Sequence, residues 1–101
     1  MISLNEWREF GFENKPSIKT AFQEKPYAGK NRVVRYLRKG RVIVPAAGVG
    51  RDVMTGKVVM PVKELRTDGE YCWNSMLEYY VMVYNMRLPA EFEQKAVKEI
   101  N

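Results

Sequence analysis

The apolar residues near the end of the chain constrain the fold most, because they form a long pattern that fits a helix. The i, i+3, i+4, i+7 spacing of a helix face is occupied by Leu77, Tyr80, Val81 and Tyr84. Ser75 and Glu78 stand three residues apart, as in a capping box. We therefore predict a helix over residues 76–85, with Asn85 as its left-handed cap.

The opposite side of this predicted helix is also apolar, and Glu78 is the one charged residue of the whole helix. That side carries Tyr79, Met82, Val83 and Met86. A helix that is apolar all round is either buried on every side or in contact with a partner. Full burial is hard to achieve in a chain of 101 residues. Two interpretations stay open: a central core helix, or a contact with a partner or with a second copy in a homodimer.

The first forty residues indicate helices. Ser3 and Glu6 match a capping box that predicts a short helix through residues 7–10, and Ser17 caps a second short helix that Pro26 prevents from continuing. A longer helix is predicted over residues 32–39, closed by Gly40. A strand competes for this third segment because it is rich in β-branched and aromatic residues.

The middle of the chain indicates short strands. Residues 42–44 form an apolar run typical of a buried strand, a hairpin turns at Thr55-Gly56, and residues 71–73 favour a further strand. Pro89 suits the first turn of a last helix, residues 90–99. This order predicts one α+β domain over residues 1–101. We expect a small antiparallel sheet of three to four short strands, at about 41–73, packed against the N-terminal and C-terminal helices.

The chain has no histidine and one cysteine, Cys72. It therefore lacks the usual base near neutral pH and the commonest ligands of zinc. Asp52, Asp68 and Glu70 are the acidic residues near predicted turns, and turn chemistry is sufficient to explain Asp68 beside Gly69. We predict that the protein is not an enzyme, with no catalytic residue, no metal site and no cofactor.

Positive charge is concentrated in the middle third of the chain. Residues 30–66 contain ten basic and two acidic side chains, within a chain of net charge +5. On a helix, the three- and four-residue spacing places most of the basic side chains between residues 32 and 41 on one face. They are Arg32, Arg35, Arg38, Lys39 and, at the helix end, Arg41. This face predicts contact with an acidic protein surface or with nucleic acid, although a solvated helix face would look the same.

The C-terminal part of the chain resembles a small uncharacterised bacterial protein family. The likeness rests on the motif Asp68-Gly69-Glu70-x-x-Trp73-x-x-x-Leu77-x-Tyr79-Tyr80-Val81-x-x-Tyr84-Asn85-x-Arg87-Leu88-Pro89-x-Glu91-Phe92. Asp52-Val53-Met54-Thr55-Gly56 resembles a second segment of the same pattern. The resemblance implies a bacterial origin but transfers no catalytic residue. By analogy it suggests an immunity-type or inhibitory protein.

We therefore expect a protein–protein interaction module. The basic side chains named above would attract an acidic partner, and Tyr79, Met82 and Met86 would supply apolar contacts. A small nucleic-acid-binding accessory protein is the alternative. The longest run without a charge, residues 42–50, is too short to cross a bilayer, and the N-terminus lacks the pattern of a signal peptide, so we expect a cytoplasmic protein with no membrane contact.

Overall fold

The computed structural model describes residues 1–100 and has the predicted α+β architecture. Six strands and three α-helices follow one another along the chain. They are β1 (Ile2–Ser3), α1 (Lys30–Lys39), β2 (Arg41–Val44), β3 (Gly50–Arg51), β4 (Val58–Met60), β5 (Leu65–Thr67), β6 (Tyr71–Asn74), α2 (Met76–Tyr84) and α3 (Ala90–Glu99). Two short 3-10 helices, Arg8–Phe10 and Ile18–Ala21, lie between β1 and α1. No helix in this part of the chain is both long and apolar enough to cross a membrane.

The main sheet is mixed, with the strand order β1-β6-β5-β2. The β6–β5 and β5–β2 pairs are antiparallel, as predicted, and β3 and β4 form a separate hairpin. The sequence pattern did not predict β1, which pairs in parallel with β6 so that Ile2 stands beside Tyr71. The backbone N–H of Asn74 donates to Asn5 Oδ1 at 2.7 Å and extends this contact between the N-terminal segment and β6.

Phe92 lies at the centre of the core, where α3 meets α1 and the sheet. Its ring makes edge-to-face contacts with Tyr36, Tyr71 and Trp73, with ring centroids 5.7, 5.0 and 5.6 Å apart. Such aromatic pairs add stability beyond the area that they bury. Tyr71 and Trp73 alternate with less buried residues along β6, as expected of a strand with one face turned to the core.

Helices α1 and α2 lie side by side in antiparallel directions. At one end, Lys30 Nζ donates to Asn85 Oδ1 at 2.8 Å, and at the other end Arg38 Nε donates to Glu78 Oε2 at 3.0 Å. The start of one helix therefore lies beside the end of the other. Gly29 precedes α1 in the left-handed conformation that glycine adopts readily.

Two predicted capping boxes are absent. Ser3 Oγ accepts from the N–H of Asn5. The residues after Trp7 form the 3-10 helix Arg8–Phe10 rather than an α-helix. Ser75 Oγ accepts instead from the N–H of Glu64, on the approach to β5, at 2.9 Å. The first N–H of α2, that of Met76, donates to Asn74 Oδ1. Ser75 is engaged by a segment eleven residues away, and Ser3 lies in β1, whose pairing with β6 the local sequence pattern does not reveal.

The prediction that residues 42–44 are buried is wrong, although they do form strand β2. Val42, Ile43 and Val44 are 37%, 38% and 44% exposed. Strand β2 is at one end of the main sheet, so it has a neighbour on one side instead of two. An apolar run is typical of a central strand, but sequence alone does not tell a central strand from an outer one.

Gly40 joins α1 to β2 beside the indole of Trp73. Trp73 Nε1 donates to the carbonyl of Leu37 at 3.2 Å. Arg66 Nη1 donates to the carbonyls of Arg38 and Gly40 at 2.8 and 2.9 Å, which fastens the end of α1 to β5. A methyl group on Gly40 would overlap the Trp73 ring, although the backbone of Gly40 has φ −56°, which any residue can adopt.

We predict that Gly40→Ala lowers the free energy of unfolding by about 1–3 kcal/mol, because the new methyl group overpacks the core. Urea unfolding measures the loss. In a Trp73→Phe background the same substitution should cost less, because the smaller ring leaves room. Equal losses in both backgrounds would show that the indole is not the obstacle.

Candidate protein-binding surface

The predicted basic face exists on α1 and at the start of β2. Helix α1 buries Val33, Val34, Tyr36 and Leu37, and the residues after its first, half-buried one that are not buried are exposed. The exposed basic residues, which we call the basic face, are Arg32, Arg35, Arg38, Lys39 and Arg41. Within residues 1–100, Arg38 is the one member that forms a salt bridge. The positive charge of the other four is therefore available to a partner.

Helix α2 presents an exposed apolar strip beside the basic face. Met82 and Val83 are 47% and 45% exposed, and Tyr79 is half-buried next to them. These three residues, which we call the α2 ridge, lie opposite the side of α2 that buries Leu77 and Val81 in the core. Apolar side chains grouped in this way are typical of a surface that another molecule covers.

The basic face and the α2 ridge form one continuous surface. The Arg38–Glu78 salt bridge, with N and O atoms 3.0 Å apart, joins α1 to α2. We call the line along which the two helices meet the seam. Met82 follows Glu78 by one turn and Arg35 precedes Arg38 by one turn, so both lie on the same side as the salt bridge. Because α1 and α2 are antiparallel, Met82 and Arg35 are displaced from the salt bridge in the same direction along the seam. Positive charge and apolar area thus stand side by side.

Met86 was predicted to belong to the partner-binding surface, and this prediction is wrong because the side chain is fully buried. Helix α2 ends at Tyr84, and Asn85 adopts the predicted left-handed conformation with φ 54°. The turn redirects the chain, so the helical spacing no longer applies at Met86. Its carbonyl accepts from the Tyr27 hydroxyl at 2.7 Å, which ties it to the interior.

Asp52 fastens the β3–β4 hairpin to α2. Its Oδ2 accepts from the hydroxyls of Tyr79 and Tyr84, each at 2.6 Å, and its Oδ1 accepts from the N–H groups of Met54 and Thr55 at 2.7 and 3.2 Å. Burial alone would raise the pKa of Asp52, but these hydrogen bonds outweigh burial and lower the pKa. The bond to Asp52, followed by burial, raises the pKa of Tyr79 to about 12. The ring of Tyr79 is thereby fixed at the edge of the α2 ridge.

Asp68 has an equivalent role at the turn between β5 and β6. Its Oδ2 accepts from the Tyr36 hydroxyl at 2.6 Å and lies 2.9 Å from Lys95 Nζ, and its Oδ1 accepts from the N–H groups of Glu70 and Tyr71. Glu70 also binds Lys95, with atoms 2.8 Å apart. Burial again acts to raise the pKa of Asp68, but the hydrogen bonds prevail and lower it to about 2.

The three carboxylates named in the sequence analysis therefore do not converge. Asp52 and Asp68 belong to separate hydrogen-bond networks that share no residue, and Glu70 accompanies Asp68. Across residues 1–100, no group of three histidine, cysteine or carboxylate side chains is placed to hold a metal ion. Cys72 is half-buried on β6 and forms no disulfide in the described structure.

Sequence reasoning missed the ion pair between Arg87 and Glu93. Arg87 binds both carboxylate oxygens of Glu93, with N and O atoms 3.0 and 2.6 Å apart. Glu93 also accepts from the N–H of Leu88, and the Arg87 guanidinium lies 4.0 Å from the ring centre of Tyr27. The motif residues Asp68, Arg87 and the tyrosines of α2 thus hold the fold together.

We predict that Met82→Ala changes the free energy of unfolding by less than about 0.5 kcal/mol, because the side chain is at the surface. Met86→Ala should lower it by about 2–5 kcal/mol, because the substitution leaves a cavity. Urea denaturation of the two variants tests the assignment. Similar losses for both would mean that Met82 is not an exposed member of the α2 ridge.

We also predict acid sensitivity from Asp68. Because its pKa in the folded protein is about 2 rather than the ordinary 3.8, the unfolded chain binds more protons, and stability falls as the pH drops from about 4 towards 2. Tyr36→Phe should lower stability at pH 7 by about 1.5–3 kcal/mol, because the charged carboxylate loses a hydrogen bond. It should also weaken this pH dependence, since the pKa of Asp68 moves back towards 3.8.

Tyr27→Phe is the matched control, because the Tyr27 hydroxyl donates to an uncharged carbonyl. Its stability should fall by about 0.5–1.5 kcal/mol with the acid dependence unchanged. If both variants show the same pH profile as the wild type, the Tyr36–Asp68 bond does not set the pKa of Asp68.

No protein-family model, curated protein or solved structure matches the chain. The resemblance to a small bacterial family therefore stays a prediction from its motif, and the functional argument rests on the surface formed by the basic face and the α2 ridge.

Proposed function

We propose that the protein is a non-enzymatic interaction module that binds an acidic protein partner through the basic face and the α2 ridge. The observation that carries this proposal is the continuity of the two features. Arg35 and Arg38 of the basic face lie along the seam where α1 meets α2, and Met82 of the exposed apolar strip lies across it. Protein interfaces combine an apolar centre with a polar rim in this way.

The two parts of the surface have different physical roles. The charges attract an acidic partner over a distance and mainly raise the rate of association. Met82 and Val83 contribute affinity when they are removed from water; full burial of an exposed side chain gives about 1.5–3 kcal/mol, and these two, already about half covered, supply about half of that each. Tyr79 is held by Asp52, so little conformational entropy is lost when its ring meets a partner.

The remaining polar chemistry supports a binding role. Asp52 and Asp68, the most buried of the predicted candidate carboxylates, each accept several hydrogen bonds from their own chain. A carboxylate whose pKa is lowered in this manner is a weak base near neutral pH. As part of the proposal we carry over a bacterial origin, a cytoplasmic location and an immunity-like or inhibitory role from the sequence analysis.

A nucleic-acid-binding accessory protein is the second candidate, because phosphates would bind the same exposed arginine and lysine side chains. The apolar neighbours of the basic face favour protein over single-stranded nucleic acid. Met82 and Val83 have no planar ring on which a base could stack, and the Tyr79 ring is half-buried against Tyr80 and Tyr84. A homodimer that buries the α2 ridge is a further possible use of the apolar strip.

The test is a pair of charge-reversal variants with equal net charge. Arg35→Glu combined with Lys39→Glu changes the basic face, whereas Lys25→Glu combined with Lys98→Glu changes exposed lysines elsewhere. We expect covalent cross-linking in the source cell, followed by mass spectrometry, to identify an acidic protein. Its recovery should fall by about tenfold with the first pair, equivalent to about 1.4 kcal/mol, and should be unchanged with the second.

Equal recovery with both pairs would contradict the proposed use of the basic face. A DNA or RNA mobility shift that the first pair abolishes, and that weakens steeply with salt, would favour the nucleic-acid alternative. A dimer in sedimentation analysis that Met82→Glu converts to a monomer would assign the α2 ridge to self-association.

A further inference from the structure

Strand β2 leaves one edge of the main sheet unpaired. Its inner edge pairs with β5, and no other strand within residues 1–100 pairs with its outer edge. Ile43 is the extra residue of a bulge, because Val42 pairs with Arg66 and Val44 pairs with Leu65. Natural proteins protect edge strands with charges, prolines or bulges, since free N–H and C=O groups recruit other strands.

The protection of β2 consists of Arg41, the bulge at Ile43 and Pro45 directly after the strand, and it leaves the apolar side chains uncovered. The three aliphatic side chains of β2 are each more than a third exposed, and charge is present at one end alone, in Arg41. Beyond the strand, the N–H of Ala47 donates to the Lys63 carbonyl at 2.7 Å and holds the following loop against the segment that leads into β5. We call the three aliphatic residues of the strand, Val42, Ile43 and Val44, the β2 edge.

The positive charge near the β2 edge favours an acidic segment as its occupant. Lys39 and Arg41 are both exposed and without a salt bridge in residues 1–100, and they flank the start of the strand. Arg35 lies one turn earlier on α1, so the basic face ends where the edge begins. A second copy of the chain would bring the same positive charge to the contact. An extended segment with aliphatic and acidic residues complements both the β2 edge and the charge.

We propose that β2 accepts an extended acidic and aliphatic segment of the partner as an added antiparallel strand. This inference rests on the proposed function, because the segment belongs to the acidic partner. Strand addition supplies main-chain hydrogen bonds, and alternate side chains determine specificity. Aliphatic side chains of the segment cover Val42 and Val44, while its carboxylates meet Lys39 and Arg41. The partner then spans two surfaces, the β2 edge and the seam between α1 and α2.

The probe is a short fluorescent peptide in which valine and glutamate alternate, and its control has lysine in place of glutamate. We expect the acidic peptide to bind with a Kd below about 1 mM and the lysine peptide to bind at least about tenfold more weakly. Hydrogen exchange should slow at backbone amides within residues 41–44, because an added strand pairs with them.

Two variants with matched chemistry locate the binding site. Val44→Glu and Val58→Glu place the same charge at positions of similar exposure, 44% on β2 and 50% on β4. Val44→Glu should weaken binding of the acidic peptide by about tenfold or more, and Val58→Glu should leave it within about twofold. Circular dichroism and urea unfolding verify that both variants remain folded.

Several results would overturn the added strand. They are the absence of peptide binding at millimolar concentration, equal binding of the lysine peptide, exchange protection on α2 instead of β2, or a dimer that Val44→Glu dissociates. If the cross-linked natural partner still binds Val44→Glu normally but fails to bind Arg35→Glu with Lys39→Glu, the added strand is refuted and the proposed function stands. If the natural partner binds all variants equally, the proposed function itself fails.

Discussion

The contact between the Trp73 indole and Gly40 determines where both candidate surfaces lie. Because glycine allows the ring to approach the backbone, the end of α1 settles directly on the sheet, and Arg66 secures its last carbonyls. The chain then passes within one residue from the basic face into β2. The basic face lies beside the sheet edge because Gly40, packed against Trp73, joins α1 directly to β2.

Tyrosine hydroxyls bound to carboxylates account for much of the buried polar chemistry. Asp52 connects the β3–β4 hairpin to α2, and Asp68 connects the β5–β6 turn to α1 and α3. Each carboxylate joins segments far apart in sequence, and each stays charged because several donors replace the lost water. These groups hold the elements in place, whereas four members of the basic face form no salt bridge within residues 1–100: Arg32, Arg35, Lys39 and Arg41.

Local patterns predicted the helices well and the tertiary contacts poorly. Helices α1, α2 and α3 were found from periodicity, and Asn85 from its preference for the left-handed conformation. The exposure of β2 depends on strand order, which no local pattern contains. Met86 was assigned to the surface because helical spacing was extended beyond the residue at which the chain turns. Asp52 and Tyr79 are 27 residues apart, so their bond had no signal in a single sequence. For the candidate surface, charge spacing identified the basic face, and Met82 proved to be exposed as expected.

The parallel pairing of β1 with β6 joins opposite parts of the chain, and the bond from Asn74 to Asn5 spans 69 residues. Loops of this length close slowly, and contacts at large sequence separation delay folding. During synthesis, β2 leaves the ribosome before β5 and β6, which complete its sheet, because both of them lie later in the chain. In that interval the aliphatic segment of β2 is unpaired on both edges, which exposes the nascent chain to aggregation.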